Sequence, residues 1–178
     1  KQHPCPSISI DHVLSNLPWL NTLLDQQVLD AHAYDIDGVK HTPQSFQQIV
    51  DELWLYTSED DPQSYDFSDN TTLGIIGRHG NSLLLLLQRD TNAAGAAHGE
   101  ATLNYVVVDL KQKKRLLLKD ILLPGQKEKL RALLYPQFVH WVTQALPEEN
   151  MIEYEKDNPL HLSNNFVFGK KALEFLYN

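Results

Sequence analysis

His98 is the residue whose setting most suggests chemistry. It lies in Gly95-Ala96-Ala97-His98-Gly99, where small neighbours would leave an imidazole open to a ligand, a metal or a proton. A metal site needs three or four ligands at suitable spacing. The chain has no His-x-x-x-His pair, and Cys5 is its one cysteine. A general base needs a nucleophile and an orienting partner. Serines and aspartates are plentiful, but none falls into a recognisable arrangement with His98. Three readings stay open. The small residues can let two backbone segments approach closely, with His98 hydrogen-bonding across the loop. Gly95, Ala97, His98 and Gly99 can recognise a partner. The histidine can serve catalysis or a metal. The first is preferred; no catalytic residue, metal ligand or cofactor is assigned.

Other groupings are weaker. Glu59, Asp60, Asp61, Asp66 and Asp69 crowd the stretch 58–70. A calcium loop wants alternating oxygen ligands and a glycine at a set place, and that order is missing, so a solvated loop is expected. Gly95 and Gly99 do not make a phosphate cradle, because a strand follows them where a phosphate loop needs a helix. Asp109 and Asp120 bracket a basic turn and read as turn caps. His79 reads as an exposed turn residue. Trp19, Trp54 and Trp141 lie on or beside apolar helical faces, so core packing is expected of each.

The elements that must hold these residues follow from periodicity. Ile8 and Ile10 alternate with polar neighbours in a short strand over 5–11. Leu14, Leu17, Leu20, Leu24 and Val28 repeat at helical spacing through about Ala31, with Pro18 in the first turn. Residues 34–41 read as a reversal at Asp37-Gly38. Thr42-Pro43 reads as the start of a second helix with Phe46, Ile49, Val50 and Leu53 on its buried stripe. Residues 71–77 and 82–89 form a hairpin across 78–81. The five leucines Leu83–Leu87 leave neither face polar and call for a central strand covered on both sides.

Residues 101–110 make the next strand, 111–114 a turn and 115–118 the return strand. A third helix spans 127–146, with a kink or break at Pro136. Residues 147–163 read as loop. A hairpin across Gly169-Lys170-Lys171 closes the chain.

The chain has 178 residues and a formal charge of -8. That sign makes nucleic acid a poor partner and suits a cationic one, though it also serves solubility. One cysteine allows no internal disulfide. No run approaches the ~20 apolar residues of a membrane span. The chain begins at Lys1, as a processed or engineered N-terminus would. Cys5, in His-Pro-Cys-Pro, lacks the small apolar residues expected before a lipidated cysteine and reads as ordinary.

The order of Gly95-Ala96-Ala97-His98-Gly99, a strand ending Val108-Asp109-Leu110, a basic turn, Leu116-Leu117-Leu118-Lys119-Asp120-Ile121-Leu122, a helix and Asn165-Phe166-Val167-Phe168-Gly169-Lys170-Lys171 resembles the RsiV-like C-terminal domain. That DUF3298-like domain of unknown function also accompanies PdaC-type peptidoglycan deacetylases, together with an N-terminal companion domain. Members carry Gly-Gly-Ala-His, where this chain has alanine at position 96. The resemblance covers 93–178, with 1–92 as a weaker companion half. Members continue past the last strand with a Pro-Tyr-Glu motif and a further strand, so the C-terminus is expected to be truncated.

The resemblance implies an α+β fold, an antiparallel β-meander packed against helices in a single unit. It implies extracytoplasmic residence, periplasmic or as an outer-membrane-anchored lipoprotein. It also implies a non-enzymatic envelope protein that binds a lysozyme-like hydrolase or a cell-wall component such as peptidoglycan. The alternatives are an enzyme acting on peptidoglycan or carbohydrate through His98, and a structural envelope lipoprotein.

Overall fold

The computed structural model describes residues 6–54, 67–93 and 96–177. Cys5, Glu59, Asp60, Asp61, Asp66 and Gly95 lie outside them. The chain forms two compact units, 1–115 with 165–178, and 116–164. Both halves read from the sequence contribute to the first unit.

In the first unit a five-stranded sheet runs in the order β1-β4-β5-β6-β7. Its strands are β1 (Ser7–His12), β4 (Phe67–His79), β5 (Ser82–Ala93), β6 (Glu100–Asp109) and β7 (Lys114–Arg115). From β4 to β7 it is the expected antiparallel meander. The sheet is nevertheless mixed, because β1 joins β4 in parallel, with Ser7 opposite Ser68 and His12 opposite Leu73. A parallel neighbour requires a long crossover, which the intervening helices supply. The fold class is α+β.

The five-leucine run lies in β5, between β4 and β6. Leu85 and Leu87 face helix α1 (Pro18–Ala31), where they meet Leu20, Leu24, Val28, Leu73, Val106 and Val108. On the other face Leu84 and Val107 are also buried. Leucine is a mediocre strand former, but pairing on both edges and burial on both faces outweigh propensity here.

Helix α1 starts at Pro18, where a missing N–H costs nothing. Leu14 and Leu17, read as part of its stripe, precede it and are exposed. Asp37 and Gly38, both at positive φ, make the two-residue turn between β2 (Tyr34–Ile36) and β3 (Val39–His41). The expected reversal is therefore a short hairpin. Helix α2 (Phe46–Trp54) begins after the Thr42-Pro43 signal. Its cap is Ser45, whose Oγ accepts the Gln48 N–H at 3.1 Å. The closing hairpin pairs β8 (Phe166–Phe168) with β9 (Leu173–Phe175).

Asn165 precedes β8 and does the work of a strand neighbour. Its side chain accepts the Tyr105 N–H at 2.7 Å and donates to the Leu103 carbonyl at 2.8 Å. One amide thus covers two backbone groups on the β6 edge that β7 is too short to reach.

The second unit holds α3 (Leu118–Ile121), α4 (Lys127–Ala145) and α5 (Met151–Asp157). Three readings need correction. The strand expected over 115–118 is limited to Lys114–Arg115, and Leu118 already starts α3, where the Leu117 N–H bonds to Asp120. Helix α4 continues through Pro136, so the break, of the two outcomes expected there, does not occur. The loop expected over 147–163 contains α5, capped by the Asn150 side chain on the Ile152 N–H at 2.9 Å. Helix α5 is short and has no buried residue, so it leaves no apolar period to read.

Replacing Asn165 by leucine leaves both β6 groups without that partner. The expected cost is about 1–3 kcal/mol, read as a lower urea midpoint at unchanged slope.

Candidate functional site

Three patterns converge at one end of the sheet in the first unit. The α1 stripe Leu20, Leu24, Val28 continues one turn further to His32. The inner face of β4 runs Leu73, Thr71, Asp69, and that of β5 runs Leu85, Leu87, Arg89. The apolar layer therefore ends in a polar one. The side chain of Asp69 is 0% exposed, that of His32 2% and that of Arg89 23%.

Arg89 clasps the Asp69 carboxylate, donating from Nη2 at 2.6 Å and from Nε at 3.0 Å to Oδ2. Its Nη1 donates to the Ala31 carbonyl at 3.0 Å, near the end of α1. His32 Nδ1 lies 2.9 Å from the Val28 carbonyl, which can only accept, so that nitrogen carries a proton. Its Nε2 faces Thr71 Oγ1 at 3.2 Å and Asp69 Oδ1 at 3.5 Å. Burial pulls the Asp69 carboxyl upward. Hydrogen bonds from His32 and Arg89, and their charge, outweigh it and hold the group below its ordinary range.

Histidine, aspartate and a hydroxyl in mutual reach look like the parts of a nucleophilic site. Access decides otherwise. Thr71 is fully buried, so no substrate can meet its hydroxyl. The cluster fastens the last turn of α1 to β4 and β5.

Arg89 and an edge of His32 border a cleft, shared with Tyr34, Glu52 and the apolar Pro43, Ile49 and Leu53. Its volume is about 150 Å³. That is below the ~300–1,000 Å³ of ordinary small-molecule sites. Among the described residues no three metal-ligating side chains converge.

The other candidates are dispersed. Ala97, His98 and Gly99 are exposed between β5 and β6. His98 Nδ1 lies 3.1 Å from the adjacent Gly99 carbonyl, and among the described residues it makes no bond across the loop. The close approach is real but belongs to Gly99, where a Cβ would stand 2.7 Å from the Thr91 carbonyl oxygen. Asp109 caps its turn, accepting the N–H groups of Gln112 and Lys111 at 2.8 Å each, and both hold its carboxyl low. His79 is exposed and stacks on Phe168. Trp19 packs against the core, whereas Trp54 and Trp141 are 53% and 54% exposed, which corrects the core reading for both. Asp69, read as a loop acid, is a buried strand residue.

The fold has known counterparts. The structure superposes on a DUF3298 family protein from Pseudomonas aeruginosa PAO1 with a TM-score of 0.70 and 18% identity, covering 97% of this chain and 73% of that one. A member of the same family from Bacteroides fragilis matches with a TM-score of 0.57 and 19% identity, covering 96% of this chain and 74% of that one. The fold is that of the DUF3298 family. At the level of sequence no family profile matches the chain, and no curated protein does. The DUF3298 fold thus explains the architecture while leaving the chemistry to the residues themselves.

Sequence reasoning missed the Asp69–Arg89–His32 cluster, although its signal was present. Alternation places Asp69 in line with Leu73, and Arg89 in line with Leu85 and Leu87.

Removing Arg89 strands a buried carboxylate, so Arg89→Met should cost about 3–5 kcal/mol, and adding Asp69→Leu should recover part of it. The depressed Asp69 carboxyl adds stability above the unfolded-state value, about 3.9, that disappears as pH falls through the folded value. The urea midpoint of the wild type should therefore drop below about pH 4 more steeply than that of Asp69→Asn. Gly99→Ala should cost about 1–3 kcal/mol by overpacking. His98→Ala should stay within about 0.5 kcal/mol of the parent.

Proposed function

We propose that the chain is a non-enzymatic binding module of a bacterial cell envelope whose partner is a cationic macromolecule. A lysozyme-like hydrolase is the leading case, ahead of a cell-wall component such as peptidoglycan. One observation carries the reading: the charge is one-sided along the chain. Before Arg78 stand twelve acids and only two bases, Lys1 and Lys40. Helices α1 and α2 bear Asp25, Asp30, Asp51 and Glu52 with no basic residue between them. Asp11, Asp35 and Asp37 add exposed charge nearby in sequence. The far half of the chain is close to neutral, so the whole net charge of -8 falls to the first half.

Such a field speeds encounter with a basic protein and weakens as salt screens it. Binding rather than turnover is further supported by His98, whose one hydrogen bond among the described residues is to its neighbouring carbonyl, and by the sealed hydroxyl of Thr71. The envelope setting rests on the resemblance to the RsiV-like domain.

Immobilised protein should retain a lysozyme at low ionic strength and release it towards about 1 M salt, where the screening length falls to about 3 Å. Asp30→Lys with Asp51→Lys should slow association at least several-fold while dissociation changes little. Retention that ignores salt, or none at all, would overturn the reading.

A further inference from the structure

The free edge of β1 lies open beside a groove. Strand β1 pairs with β4 alone, in parallel. The Val13 N–H donates to the Leu73 carbonyl at 3.1 Å, which sets the phase of the ladder. In a parallel pair, alternate residues turn both backbone groups to the same side. Ser7, Ser9 and Asp11 therefore bond towards β4, and Ile8, Ile10 and His12 present their N–H and C=O groups outward. Among the described residues nothing bonds to that side. The devices that blunt a sheet edge (proline, lysine, a bulge) are missing from Ser7–His12.

The side chains at this edge divide by face. Ile8 and Ile10 point towards α2 and, with Phe46, Gln47 and Val50, line an open groove of about 230 Å³. Val50 is 37% exposed there. Ser7, Ser9 and Asp11 are exposed on the opposite face. Asp51 is exposed beside Val50 on α2, and Asp25 lies 3.0 Å from His12.

We infer that this edge takes up an extended, cationic segment of a partner protein as an added sixth strand of the sheet. An added strand alternates its side chains between the two faces. Apolar residues at every second position fill the groove over Ile8 and Ile10. Basic residues between them meet Asp11 on the other face, while Asp51 lies beside the groove on α2. A second copy of this chain fits worse, because its own β1 would bring the same acids together. The inference rests on the proposed binding of a cationic partner and specifies where and how that partner attaches.

The test uses the full chain and three soluble peptides: alternating valine and lysine, the same peptide N-methylated at alternate residues, and alternating valine and glutamate. The valine–lysine peptide should bind, and N-methylation, which keeps side chains and charge, should weaken it at least tenfold. The glutamate peptide should not bind. Ile8→Pro removes one outward donor and no bond to β4, and should weaken binding about tenfold, the worth of one main-chain hydrogen bond. Equal binding of the parent and N-methylated peptides overturns the inference, as does self-association that Ile8→Pro abolishes. Salt-sensitive lysozyme capture without peptide discrimination sinks the edge and spares the proposed function. Peptide discrimination without lysozyme capture does the reverse.

Discussion

The carboxylate of Asp69 has no route to water, and the first unit is arranged around that fact. Arg89 neutralises it from the neighbouring strand, and His32 and Thr71 occupy its remaining acceptor capacity. A buried ion pair contributes little net stability against an apolar replacement, but it is unforgiving of wrong partners. Here it links β4, β5 and the end of α1.

The core beside it is apolar and nearly featureless. Leu85 and Leu87 could slide against Leu20, Leu24 and Val28 with modest loss, because leucines on both surfaces fill similar volumes. Arg89 Nη1 on the Ala31 carbonyl removes that freedom, since a shift by one residue would strand the donor. The polar layer therefore supplies direction to a core that supplies most of the attraction. Asn165 plays the corresponding part on the β6 side, where a side-chain amide stands in for a missing strand.

The same construction accounts for how little of the interior is open to chemistry. The carboxylate of Asp69, the imidazole of His32 and the hydroxyl of Thr71 are buried together, whereas His98 is exposed. The charge carried by the first half of the chain is mainly acidic, and α1 and α2 bear four of its acids. The two sheet borders also differ. That at β6 is partly covered by β7 and Asn165, while that at β1 has no partner among the described residues.

Much of the architecture was legible in the residues. The meander from β4 to β7, the central place of the five leucines, the helices α1, α2 and α4, and the closing hairpin all follow from period and turn chemistry, which are local. Helix α5 and the true start of α2 were not legible, because short capped segments lack an apolar period. The functional candidates were less legible still, since nothing local marks Asp69 as a buried strand residue within an acidic stretch. By itself the sequence determined the elements, the α+β class and the sign of the charge, because each depends on neighbours a few positions apart. Only the tertiary structure decided that Asp69, Arg89 and His32 meet, that β1 joins β4 in parallel and that His98 lies exposed between β5 and β6. Those outcomes depend on long-range pairing, in which one register and one crossover place distant residues within hydrogen-bond reach and every other excludes them.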